Sequence, residues 1–212
     1  MLALADLSCA RGDRVLFSGA NVTLLPGEGL YVTGANGAGK TSLLRQISGL
    51  ASPEHGEVRW NGESIRALRE EYAKNLLFLG HAAALKDELT AVENLVVSAA
   101  VSGRHVTKEN ALNALRQFGL KGREDLPARS LSAGQRRRVN LARLLLPNSP
   151  TLWVLDEPFT ALDTKAIHQL CNLLGEHLRS GGMIVYTTHQ DVDFSGGTVR
   201  RMAIEAGRVV VC

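Results

Sequence analysis

The run Gly34-Ala35-Asn36-Gly37-Ala38-Gly39-Lys40-Thr41 constrains this chain more than any other stretch. An apolar segment, Leu30 to Thr33, precedes it and a helix-like segment, Ser42 to Gly49, follows, so its glycines fall in a strand-to-helix turn. Such a turn can point main-chain N–H groups inward around polyphosphate only where side chains leave room, and Gly34, Gly37 and Gly39 leave it. Lys40, on the first helical turn, brings a cation to the outer phosphates. The helix N-terminus adds partial positive charge, and the Thr41 hydroxyl stands where it can coordinate the magnesium that accompanies a nucleotide. With Ser42 included, residues 34 to 42 are assigned to the phosphates of a nucleotide. A glycine-rich turn that merely contains Lys-Thr is the alternative, and the flanking strand and helix weigh against it.

A chain of 212 residues with 45% apolar and few aromatic side chains suits one soluble α/β unit with a sizeable core. The 24 basic and 21 acidic residues leave a net charge of +3, too little to demand a nucleic-acid partner. Cys9, Cys171 and Cys212 are scattered and lack the paired spacings that bind zinc or attach haem, which fits a reducing compartment. No export signal and no apolar run of membrane-spanning length is read, so any membrane role is expected to come through a partner.

Short apolar segments at Leu2 to Ser8, Val15 to Phe17, Ala20 to Leu25, Leu30 to Thr33 and Glu57 to Trp60 read as strands. From Glu93 to Leu120 the periodicity becomes helical, with Gly103 and Gly119 as breaks, and an inserted helical lobe of about residues 86–147 is expected. Leu152 to Leu155 and Met183 to Thr187, joined by a helical stretch from Thr164 to Arg179, read as parallel strands beside the cradle strand. Val199 to Ile204 and Val209 to Val211 read as a terminal hairpin. Residues 1–212 are thus expected to form a single domain.

Leu152 to Pro158 reads LWVLDEP, so Asp156 and Glu157 stand at the C-terminal edge of a buried strand, where open α/β sheets hold ligands. Asp156 can hold magnesium, directly or through water. Glu157, its side chain diverging from that of its neighbour, can orient or deprotonate an attacking water. Alone, the pair could equally be a solvated strand end.

Leu131 to Gln135 reads LSAGQ ahead of a helical stretch from Arg136 to Leu146, whose Val139, Ala142, Leu145 and Leu146 are expected to share a face. By itself this is a helix start capped by Ser132. Arg136 to Arg138 fan over roughly 200° of the helix and read mainly as solvated surface.

The order of cradle, helical insert, LSAGQ, LDEP, TALD (Thr160 to Asp163) and TTHQ with His189 resembles the ATPase subunits of ABC transporters over essentially the whole chain. The resemblance implies a P-loop NTPase of the ABC ATPase fold, an α/β architecture with a mixed central sheet, an N-terminal antiparallel β subdomain and the inserted helical subdomain. It implies a head-to-tail homodimer in which Ser132, Gly134 and Gln135 of one copy face the ATP held by the other. It also gives His189 a role at the γ-phosphate and places Asp163 in a loop that crosses the dimer interface.

Two positions depart from the common pattern. The family's magnesium-contacting Gln is replaced by His81; a neutral imidazole can still bind metal, a protonated one would be repelled, and a residue that merely packs or faces water stays open. The adenine-stacking aromatic is replaced by Arg11, whose guanidinium plane could stack instead. With LSAGQ, NLLFLGH and TTHQ, these departures are similar to the ATP-binding subunits of the haem exporter of bacterial cytochrome c maturation. That resemblance implies integral membrane permease subunits as partners, peripheral attachment at the cytoplasmic face of the inner membrane, and ATP use tied to release of a haem-loaded chaperone. No haem ligand is read in this chain. An ABC engine for lipid, drug or lipoprotein would share the chemistry. A soluble ABC-type ATPase would need tandem cassettes or coiled-coil inserts, and a P-loop kinase would leave LSAGQ and His189 unexplained.

Overall fold

The structure, a computed structural model, describes residues 1–211, and Cys212 lies outside them. Ten strands form one sheet: β1 (Leu2–Arg11), β2 (Arg14–Leu24), β3 (Glu28–Gly34), β4 (Glu57–Trp60), β5 (Glu63–Ser64), β6 (Leu76–Leu79), β7 (Leu152–Asp156), β8 (Met183–Thr187), β9 (Thr198–Glu205) and β10 (Arg208–Val211). Among the described residues seven α-helices accompany them: α1 (Lys40–Ile47), α2 (Ile65–Leu68), α3 (Glu70–Lys74), α4 (Ala91–Val101), α5 (Lys108–Gln117), α6 (Ala133–Ala142) and α7 (Thr164–Arg179). The strand order is β5-β4-β1-β2-β10-β9-β3-β8-β7-β6. Strands β9, β3, β8, β7 and β6 run parallel, whereas β5, β4, β1 and β2 pair antiparallel. The mixed sheet and its antiparallel N-terminal part agree with the expected ABC ATPase fold.

Strands β7 and β8 are buried on both faces, as parallel strands are when helices cover each side. Alternation along β7 divides its residues between two cores. Trp153 and Leu155 join Leu77, Leu79 and Ile184 against α7 and the helices α4 to α6. Leu152 and Val154 join Leu30, Val32 and Val185 against α1 and the antiparallel strands.

The cradle strand, α7, β8 and the terminal hairpin match the sequence reading closely. Two expected strands, Val15 to Phe17 and Ala20 to Leu25, are instead one continuous β2, because Gly19 (φ 70°) is absorbed as a bulge rather than a turn. Met183–Thr187 is the direct neighbour of β3, but Leu152–Asp156 lies one strand further out. The helix expected from Arg136 begins earlier, at Ala133, and its end tightens into a 3₁₀ turn over Arg143–Leu145, leaving Leu145 only half-buried. Between β6 and β7 the insert holds α4 to α6, with Thr90 and Thr107 closing capping boxes at the starts of α4 and α5. Among the described residues no helix is long and apolar enough to cross a membrane.

Candidate functional site

The turn between β3 and α1 takes its shape from two glycines. Gly34 has φ 148°, and a Cβ there would lie 2.7 Å from the carbonyl oxygen of Ile204. Gly39 caps α1 at φ 110°, and a Cβ there would press on the Phe17 ring at 3.0 Å. Only a residue without a side chain follows this path. Ala38 donates its N–H to the Ala35 carbonyl across the turn, and Lys40 Nζ bends back to donate to the carbonyls of Gly34 (2.7 Å) and Ala35 (3.2 Å). The lysine thus crosses the mouth of the loop it would share with a phosphate.

This loop opens onto a cleft of about 740 Å³. Asn36, Gly37, Gly39, Lys40, Thr41 and Ser42 form one wall. Asp156, Glu157, His189 and His81 form another, and Arg11, exposed at the end of β1, stands at the side. Residues from five separate parts of the chain therefore line one cleft.

The acidic pair is held by a short relay. Thr41 Oγ1 donates to Asp156 Oδ2 at 2.9 Å, joining the cradle helix to β7. Thr187 Oγ1 donates to Asp156 Oδ1 at 2.7 Å and accepts the Glu157 N–H at 3.0 Å. Asp156 is only 3% exposed, so a buried carboxylate rests on two hydroxyls. Glu157 leaves the strand in the left-handed region, φ 52°, which turns its side chain away from that of Asp156. Its Oε2 accepts the His189 N–H at 3.1 Å, and its Oε1 lies 3.4 Å from His189 Nε2.

Asp156 and Thr41 present hard oxygen donors side by side, the type magnesium takes. Among the described residues no three His, Cys, Asp or Glu side chains gather as a self-contained metal site. Such an ion would therefore complete its shell with phosphate oxygens and water, as magnesium commonly does. The donor set fits.

Ser132, Gly134 and Gln135 do not line this cleft. Ser132 caps α6 by accepting the Gln135 N–H at 3.2 Å, while the Gln135 side chain accepts the Ser132 N–H at 2.9 Å. Asp163 caps α7 by accepting the Ala166 N–H. That bond, aided by Arg138, holds its carboxyl below the usual range.

The three arginines after Gln135 correct the sequence reading, for they are not plain solvated surface. Arg136 pairs with Asp87, and Arg138 pairs with Asp163. Arg137 turns inward and is 5% exposed, donating to four main-chain carbonyls of residues 80, 81, 156 and 157. The fan around the helix is as expected, but the lobe and the strand ends enclose it. Arg137 and Thr187, which hold Asp156 and Glu157 from behind the cleft, are residues that sequence reasoning missed. A three-arginine run carries no sign of which member is enclosed, and Thr187 looks like any β-branched strand residue.

The family model for ABC transporters matches residues 17–160. A cytochrome c biogenesis ATP-binding export protein CcmA from Nitrosospira multiformis is 52% identical over 199 residues, covering 94% of this chain and 96% of its own. One of the same description from Methylococcus capsulatus is also 52% identical, covering 92% of this chain and 94% of its own. Among solved structures, a dimeric post-hydrolysis ATP-binding cassette bound to ADP and Pi superposes with a TM-score of 0.85 at 25% identity, covering 99% of this chain and 96% of that one. With a phosphate cradle, an acidic strand end and His189 gathered in one cleft, and with relatives of this identity along nearly the whole length, the chain belongs to the ABC transporter ATP-binding family, among its cytochrome c biogenesis ATP-binding export proteins.

Proposed function

We propose that this chain is the ATP-hydrolysing engine of a membrane complex that serves cytochrome c biogenesis by haem export or release of a haem-loaded chaperone. The observation that carries the catalytic part is the 2.9 Å hydrogen bond between Thr41 and Asp156, made within the cleft that Glu157 and His189 also line. In this reading residues 34 to 42 hold the phosphates, with Lys40 releasing its loop carbonyls to meet the β and γ groups. Thr41 and Asp156, with His81 across the cleft, would hold magnesium, which supplies charge neutralisation to the phosphates when bound. Glu157 orients and deprotonates the attacking water. His189 steadies the Glu157 carboxylate through its N–H and addresses the γ-phosphate with its ring. Arg11 lies at the adenine side.

Ser132, Gly134 and Gln135 face away from their own cradle and act on the ATP of a second copy in a head-to-tail homodimer. Hydroxyl and amide donors at a helix N-terminus suit anionic oxygen. Residues 1–212 work as one nucleotide-binding domain whose lobe, about 86–147, transmits closure to integral membrane permease subunits. The chain sits peripherally at the cytoplasmic face of the inner membrane.

Glu157→Gln tests this. A positioned base is worth about 10² to 10⁴ in rate, so turnover should fall by that factor while ATP binding persists. Near-normal turnover would remove Glu157 from its role. Mass spectrometry of what co-purifies with the ATP-bound variant from solubilised membranes tests the rest: cytochrome-maturation membrane subunits support the haem reading, and an unrelated permease would discard it.

A further inference from the structure

Arg137 lies two residues beyond Gln135 on α6, and its guanidinium meets no carboxylate. Nη1 donates to the main-chain oxygens of Gly80 (3.0 Å) and His81 (3.4 Å), and Nη2 to those of Asp156 (3.1 Å) and Glu157 (2.5 Å). Nε has no partner, so the terminal nitrogens alone set the orientation of the group. Two segments of the cleft wall that are remote in sequence thus converge on one cation carried by α6. Enclosing a cation among neutral carbonyls is a poor route to stability, since an apolar side chain of similar volume would pack there without the desolvation cost. The planar fork offers something else, a fixed geometry between the elements it joins.

The Glu157 peptide is held at both ends. Its N–H is bonded to Thr187 and its carbonyl to Arg137, with the backbone in the left-handed region between them. The start of α6 also rests on the segment that follows, for a Cβ at Gly134 would come within 3.1 Å of the Ala161 carbonyl oxygen. A displacement of α6 therefore pulls on Glu157 and on the His81 loop together.

We propose that Arg137 is a positioning residue that makes the direction of Glu157 follow α6, so that ATP held in the partner's cradle and engaged by Ser132 to Gln135 sets the hydrolytic geometry at Glu157 of the copy that carries them. This rests on the head-to-tail reading above. The two ATP sites of the dimer are then coupled through the body of each subunit as well as across the interface between them.

The test uses the complex assembled with its membrane subunits, and measures ATPase rate against ATP concentration for the wild type, Arg137→Met, Arg137→Lys and Glu157→Gln. Misplacing a reacting group by about 1 Å costs on the order of 10² in rate, so Arg137→Met should lower kcat by at least about tenfold. The KM for ATP should stay within about threefold, and the Hill coefficient should fall toward one. Arg137→Lys keeps the charge but not the fork, so it should fold normally and still lose cooperativity. A Hill coefficient of one in the wild type overturns the proposal, as does an Arg137→Lys enzyme with wild-type kcat and cooperativity. Should Arg137→Met fail to fold, Arg137→Lys decides. Glu157→Gln separates the two levels: its normal turnover would sink the catalytic assignment itself, whereas an inactive Glu157→Gln beside fully cooperative Arg137 variants sinks only the relay.

Discussion

Replacing Thr187 by Val tests how much of the acidic strand end depends on one hydroxyl. Thr187 is fully buried at the end of β8, and valine matches its shape and strand preference, so the substitution opens no cavity. It removes two bonds, the one accepted from the Glu157 N–H at 3.0 Å and the one donated to Asp156 Oδ1 at 2.7 Å. A buried N–H left without an acceptor costs about 1–3 kcal/mol, and a hydrogen bond to a charged group is worth about 1.5–3 kcal/mol. Asp156 keeps its bond from Thr41, which limits the damage on that side. The expected loss is about 2–5 kcal/mol, and at about 2–4 °C per kcal/mol for a chain of this size the melting temperature should fall by about 4–20 °C. Urea unfolding and a thermal scan measure it, with Thr187→Ser, which retains the hydroxyl, expected to lose less than half as much. If Thr187→Val unfolds at the wild-type urea concentration, the hydroxyl does not support the acidic pair and the relay is incidental.

Three further outcomes are expected. The His177 ring stacks on Trp153 with centroids 3.6 Å apart, and burial pushes its pKa down to about 4. The unfolded chain takes up that proton near pH 6.5 and the folded chain only near 4, so stability should fall as pH drops between those values. Denaturant midpoints across that range should slope less steeply in His177→Phe, and an unchanged slope would contradict the assignment. Gly34→Ala, with its Cβ forced toward the Ile204 carbonyl, should strain the cradle by about 1–3 kcal/mol and weaken ATP binding in a nucleotide titration; unaltered affinity would show that the turn can relax. Leu174→Ala, at a fully buried position of α7, should cost about 2–5 kcal/mol in chemical denaturation, and a loss below about 1 kcal/mol would mean the core collapses around it.

The parts of the fold legible in the sequence are those where local pattern and tertiary demand coincide. Leu152 to Leu155 is apolar on both faces because both faces are buried, and α7 carries an apolar stripe because one side meets the sheet. The turn after β3 was legible because its path leaves no room for a side chain at Gly34 and Gly39. Gly19 misled because a glycine between strand-like runs reads as a turn, whereas the partner strand β1 continues past it and absorbs it as a bulge. Arg137 was illegible for a different reason. What encloses it is main chain, the carbonyls of residues 80, 81, 156 and 157, and a carbonyl leaves no mark in the sequence. Thr187 was hidden in the same way, since its strand asks for a β-branched residue and its hydroxyl acts only once Asp156 and Glu157 are beside it.

The neighbours of the cradle strand carry a consequence for synthesis. Strand β3 pairs only with β8 and β9, both made from the last thirty residues of the described chain. A nascent chain that has exposed Gly34 to Thr41 therefore has no sheet to hold that turn until Met183 and Thr198 have followed. At bacterial elongation rates this is a delay of about 10–30 s. Through that interval the main chain of β3 lacks strand partners on either side, although its Leu30 and Val32 can already pack against α1 and the antiparallel strands, so the turn gains its full support only after nearly the whole chain has emerged.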